Sequence, residues 1–198
     1  MTGRTARITR IGSWAGYIVA GSGAVGLVAI ALFFSVGQPW GTLNDISLLV
    51  MFAAVAPLML SFYELGGRTP TALAQLAQSV GWIATIVFCS TQALLIGGFV
   101  VFDYYHGATG AFAVGTLAWA YIGAWVAGAN LLAGPWLNWI RWLGVIAGVG
   151  GLVMAFGLLV GGVDTGWTYL GGVGYQVVLP IWAFLMARLL GAHRPAAG

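Results

Sequence analysis

WAGYIVAGSGAVGLVAIALFFSV, residues 14–36, contains no charged side chain, and its length decides the fold. The hydrocarbon core of a bilayer is about 30 Å thick and a helix rises about 1.5 Å per residue, so about 20 apolar residues span it. Arg4, Arg7 and Arg10 precede the run, as basic residues precede a secretory signal. The apolar core of such a signal is about 7–15 residues long, shorter than this run. The following "GQPWGT", residues 37–42, offers no small-x-small cleavage site. The run reads as a retained first transmembrane helix.

Five more apolar segments follow, which gives an expected set of helices at about 14–36, 46–65, 71–102, 109–133, 137–161 and 166–190. A short segment, 1–13, precedes them and a tail, 191–198, follows. The breaks "GQPWG", "GGRTP", "AGP" and "GGVDTG" are rich in the residues that punctuate helices. Of 198 residues, 61% are hydrophobic and 6% charged, whereas a soluble domain carries about 25% charged residues. Eleven charges cannot cover a water-soluble globule of this size, so lipid is the expected solvent. The fold class is all-α, a six-transmembrane-helix integral membrane bundle.

Charge sets the threading. With the N-terminus cytoplasmic, the inside segments 1–13, 66–70, 134–142 and 188–198 hold every arginine, and the chain has no lysine. The outside loops hold Asp45, Asp103 and Asp164; Glu64 lies at the inside end of the second helix, four residues before Arg68. Basic residues collect on the cytoplasmic side of membrane proteins, so both termini are expected there. The net charge of +3 does not signal nucleic acid, because the arginines are scattered rather than gathered in a patch. Cys89 is the single cysteine, so no intrachain disulfide forms.

Several features bear on packing. Pro57 and Pro180 fall inside helices and each removes a backbone hydrogen bond, which kinks a helix. Gly144 and Gly148, then Gly157 and Gly161, repeat at the spacing that lets helices approach closely in lipid. That spacing serves packing within the bundle; a homodimer or another membrane subunit is the alternative partner. No inverted repeat of the kind found in many transporters is present. Thr69 and Pro70 suit the start of the third helix, and Gln75, Gln78 and Ser79 then share one face.

Three groups of residues carry candidate chemistry. Gln92, Tyr121 and Gln176 lie near mid-depth. An amide in hydrocarbon needs a partner, since an unpaired polar group there costs several kcal/mol. They form either interhelical hydrogen bonds or a midplane polar pathway or ligand pocket. Asn44, Asp45, Asp103, His106 and Asp164 lie on the outer face. Oxygen and imidazole ligands suit a divalent cation, and histidine suits acid–base work; the competing reading is an outer face with an aromatic belt of Trp40, Tyr104, Tyr105 and Trp167. Trp136, Trp139, Arg141 and Trp142 form an inner-face stripe, a membrane anchor or a lipid-headgroup site. No HExxH, GxSxG or P-loop occurs, so no catalytic residue and no cofactor are expected.

"QPWGTLNDI", "WLNWIRWLGVIAGV" and "VLPIWAFLMARLLG" together resemble a family of small, uncharacterised multi-pass bacterial membrane proteins. The resemblance implies a six-helix bundle in a bacterial plasma membrane and carries no catalytic residues over. The expected function is non-catalytic: a small membrane-complex subunit, or a module binding lipid or another hydrophobic ligand. A small-solute transporter or channel is the second expectation, and a membrane enzyme or metal site on the outer face the third. The expected partners are the lipid bilayer and such a subunit or second copy, not nucleic acid.

Overall fold

The computed structural model describes residues 3–65, 72–101, 108–132, 139–162 and 164–192. Among them every element is helical: α1 (Gly3–Val36), α2 (Trp40–Leu65), α3 (Ala72–Val101), α4 (Ala108–Leu132), α5 (Ile140–Gly161), α6 (Gly166–Gly172) and α7 (Val178–Ala192). A π-helical turn, Val173–Val177, joins α6 to α7 as one rod. Six rods result, each long and apolar enough to cross a membrane.

The rods form a ring. Each packs on the next in sequence, and α7 returns to lie along α1. One end of the ring holds Gly3 and Ala192 and is called the terminal end; the other holds the α1–α2 and α5–α6 connections and is called the turn end. Glycine makes both connections possible. Gly37 has φ +91° and its N–H donates to Phe33 O at 2.9 Å; Gly162 has φ +77° and donates to Leu158 O at 3.2 Å. A side chain at either position would be strained in that left-handed backbone. Thr165 then caps α6, its Oγ1 accepting from the Thr168 N–H at 3.4 Å.

Two helix starts differ from the sequence expectation, each for a visible reason. α1 begins at Gly3, not near Trp14, because its packing seam runs through the arginine-bearing segment. Thr9, Gly12, Gly16, Val19, Gly23 and Gly26 are buried, at the alternating three- and four-residue steps of a helix seam. Ser61 Oγ donates to Ile8 O at 2.8 Å and Ser13 Oγ to Ala187 O at 2.9 Å, which fastens that segment to α2 and α7. Arg4, Arg7 and Arg10 occupy the opposite, exposed strip. α2 begins at Trp40, not Ile46. Its ladder is primed by Pro39, whose carbonyl accepts from Leu43 N–H at 3.2 Å, and by Gln38 Oε1, which accepts from Thr42 N–H at 3.3 Å. Asn44 and Asp45 therefore stand on a helix rather than in a loop.

The interior mixes small, aliphatic and aromatic residues, while large apolar side chains also cover the exterior. Leu73, Ile86 and Leu94 on α3, Leu117 and Leu132 on α4, and Val149 and Val160 on α5 all face outward. Water does not tolerate such a surface over every rod. Inside, glycine lets backbones touch: a Cβ on Gly16 would stand 2.7 Å from Ala183 O, and one on Gly123 2.7 Å from Gly148 O. Gly144, Gly148, Gly157 and Gly161 all meet atoms of α4, of α6 or of the Thr165 cap within this chain.

Candidate functional site

At the turn end the rods enclose a cavity of about 640 Å³. Helical periodicity supplies its walls. α3 contributes Phe88, Thr91, Gln92 and Leu95, and α4 contributes Phe112, Gly115, Thr116 and Trp119. Both sets follow the i, i+3, i+4, i+7 spacing that places side chains on one helix face. α2 adds Asn44, Asp45 and Leu48; α5 adds Met154 and Leu158. α1 adds Leu27, Ile30 and Phe34.

The sixth wall comes from the α6–α7 rod. Pro180 has no N–H, so the carbonyl of Gln176 four residues earlier lacks its α-helical donor, and the proline ring crowds it. The wide turn Val173–Val177 sits immediately before this point, as π-helical turns do where a ladder is interrupted. It places Gln176, Val173 and Val177 on the cavity, with Thr168, Tyr169 and Gly172 beyond them.

A layer of aromatic rings forms the floor. Phe52 stacks on Phe88 with ring centroids 3.9 Å apart, and Trp119 meets Phe52 and Tyr175 edge-on at 5.4 Å each. All four side chains are buried. The cavity thus ends at mid-bundle and does not run through to the terminal end. Its side is less closed. α1 packs on α2 and α7 while α6 packs on α5, so α1 and α6 splay at the turn end. Leu27 and Phe34 on one lip, and Tyr169 and Val173 on the other, line the cavity yet remain 39%, 67%, 53% and 63% exposed.

The polar groups of the wall are few and mostly committed. Thr91 Oγ1 donates to Phe88 O at 2.9 Å, Thr116 Oγ1 to Phe112 O at 2.8 Å, and Thr168 Oγ1 to Gly162 O at 2.8 Å. Their hydroxyl protons are spent on backbone carbonyls. Gln92 shares the cavity wall with the half-buried Asp45. Asn44 is only 7% exposed, and its Oδ1 has no hydrogen-bond partner among the described residues. Trp119 Nε1 and the Tyr175 hydroxyl, within the aromatic floor, also lack one there.

The residues singled out from sequence are distributed as follows. Gln92 and Gln176 meet at this cavity, and Asn44 and Asp45 join them from α2. Tyr121 does not; it lies toward the terminal end and donates to Ala77 O at 3.2 Å. Asp164 is exposed at the α5–α6 connection and does not line the cavity. Asp103, Tyr104, Tyr105, His106, Arg68 and Trp136 lie outside the described residues, as does the Glu64 side chain. Among the described residues no group of three His, Cys, Asp or Glu side chains is placed to hold a metal. Trp139, Arg141 and Trp142 sit together at the start of α5. The Arg141 guanidinium lies 5.1 Å from the Trp142 ring centroid, and both tryptophans are exposed.

Sequence reading missed two features. Asn130 on α4 is fully buried, donating to Val126 O at 2.8 Å and accepting from Trp182 Nε1 of α7 at 3.1 Å. An asparagine inside an apolar run, opposite a tryptophan on another run, was the available signal. The aromatic floor left no such signal, because its rings come from four separate rods. No protein-family model, curated protein or solved structure matches this chain.

Proposed function

We propose that this chain is a multi-pass protein of a bacterial plasma membrane, with six spans and both termini cytoplasmic, and that it binds a small amphiphile. The carrying observation is the cavity of about 640 Å³ with apolar walls and a small polar group at Asn44, Asp45, Gln92 and Gln176. Ligand pockets of about 300–1,000 Å³ have this character: mostly apolar, with a few polar groups that orient the ligand. On the proposed threading the turn end is extracytoplasmic, and the gap between α1 and α6 faces the outer leaflet. A ligand dissolved in lipid enters there without crossing water. The stacked floor of Phe52, Phe88, Trp119 and Tyr175 supports a closed pocket over an open channel. The chain binds alone or as a small subunit of a larger membrane complex.

The threading has a direct test. In a Cys89→Ser background, Asp164→Cys is expected to react with an impermeant maleimide from outside the cell. Ala192→Cys is expected to react only after permeabilisation. Labelling of both from one side would refute the arrangement.

The pocket has its own test. Thr116→Phe and Leu95→Trp place large rings in the cavity. Native mass spectrometry of the parent should show a retained small-molecule adduct, and both filled variants should lose it by roughly ten-fold or more, the equivalent of about 1.4 kcal/mol. Equal retention by parent and filled variants would remove the proposal.

A further inference from the structure

We propose that the occupant of this cavity is an amphiphilic organic cation whose protonated nitrogen is anchored by Asp45. The inference rests on the pocket reading above and adds the charge of the ligand.

Among the described residues the walls carry one charged side chain, Asp45, and no arginine. Arg4, Arg7, Arg10, Arg141 and Arg188 all lie away from the cavity. A carboxylate held in an apolar wall needs a compensating charge, since an uncompensated one is costly to bury. Among the described residues the cavity wall offers Asp45 the Gln92 amide and no cation. The compensating charge therefore belongs to the occupant.

Hydrogen-bond chemistry points the same way. A ligand amine brings donors. Around the anchor the wall presents acceptors: the Asp45 carboxylate and hydroxyl oxygens whose own protons are already spent, Thr91 and Thr116 among them. A carboxylate-bearing ligand would meet the like charge of Asp45. The apolar remainder of the wall suits a hydrocarbon body, and the ring faces of Phe88 and Trp119 are compatible with an organic cation nearby. A bare metal ion fits poorly, because such ions demand several oxygen ligands and the rest of the wall is largely hydrocarbon.

The test uses the full chain in phosphatidylcholine nanodiscs and tritiated decylamine as probe, read by scintillation proximity, with binding to protein-free nanodiscs subtracted. Decanol and decanoate compete as neutral and anionic counterparts of the same chain length. The parent is expected to prefer decylamine over decanol by about ten-fold or more, the range for a hydrogen bond to a charged group, and to reject decanoate. Asp45→Asn, similar in size to the parent side chain, should abolish that preference while decanol binding persists. Equal affinity of the parent for decylamine and decanol would overturn the proposal and leave the pocket standing; this comparison needs no variant. A preference for the amine that survives in folded Asp45→Asn would overturn it as well. Absence of saturable binding by either compound, or binding undiminished in Thr116→Phe, would overturn the pocket reading and this inference together.

Discussion

Gly148→Val is expected to destabilise the bundle by about 3 kcal/mol or more, at the upper end of the cost of overpacking a close contact. The site has no slack. A Cβ on Gly148 would meet the Ala127 backbone nitrogen, with Gly123 O at 2.5 Å and the Ala127 Cβ at 2.7 Å. Backbone lies on the far side of the contact, so no rotamer change relieves it; α4 and α5 must separate. Separation would reach the cavity, because α4 carries Thr116 and Trp119 and α5 carries Met154 and Leu158 on its wall. Gly21→Ala is the control. It is exposed on α1 with nothing within 4 Å of its added Cβ, and a stabilisation of up to about 1 kcal/mol, the gain in helix propensity, is expected there. Unfolding in mixed micelles, followed by loss of helical circular dichroism against sodium dodecyl sulfate fraction, measures both. A Gly148→Val protein as stable as the parent would show that the two helices are not packed as described.

That contact also illustrates what a sequence discloses about such a fold. The rods were legible because an apolar run of membrane-spanning length has few alternatives, and Gly37 and Gly162 stand where two of them turn. Glycine spacing in α5 was legible as a close approach, but its partner was not: Gly123 lies on another helix, and nothing local ties it to Gly148. The start of α1 was obscured by Arg4, Arg7 and Arg10, which read as a polar leader. The seam of Thr9, Gly12 and Gly16 beneath them was the better signal, since small residues at helical steps matter more than charges on the opposite face. The cavity was legible only in part. Gln92 and Gln176 stood out as amides in apolar runs. Asp45 falls in a loop when its helix is started at Ile46, six residues beyond the true start at Trp40, and that separates it from Gln92. Tyr121 had the same credentials as the glutamines, yet its hydroxyl reaches Ala77 O instead. Depth along a rod can be estimated from sequence; the azimuth that decides which neighbour is met depends on how the rods are rotated.

Rotation is fixed most firmly at Trp182. Its side chain is fully buried, its Nε1 donates to Asn130 Oδ1 at 3.1 Å, and its ring lies 6.2 Å from that of Phe62. The Asn130 amide in turn rests on Gly144, where a Cβ would collide with it. Three rods, α4, α5 and α7, are thereby keyed to one another below the aromatic floor. Trp182→Ala is expected to cost about 3–5 kcal/mol, the range for removing a large buried ring. Trp182→Phe separates the hydrogen bond from the packing. It keeps most of the ring but leaves the Asn130 Oδ1 buried and unpaired, and should cost about 1–3 kcal/mol. Asn130→Leu is expected to cost a similar amount by stranding the indole N–H. Combining Trp182→Phe with Asn130→Leu removes both polar partners, so the double variant should be more stable than the two single losses sum to. The expected coupling is about 1 kcal/mol, as for hydrogen bonds between membrane helices. Strict additivity in the same unfolding assay would mean the bond carries no net energy. Ligand binding by Trp182→Phe then distinguishes two supports for the cavity. If the aromatic floor of Phe52, Phe88, Trp119 and Tyr175 holds the walls, affinity survives the loss of the bond; if the walls depend on the rotation of α7 set at Asn130, affinity falls with stability, because Gln176 and the π-helical turn are carried on the same rod.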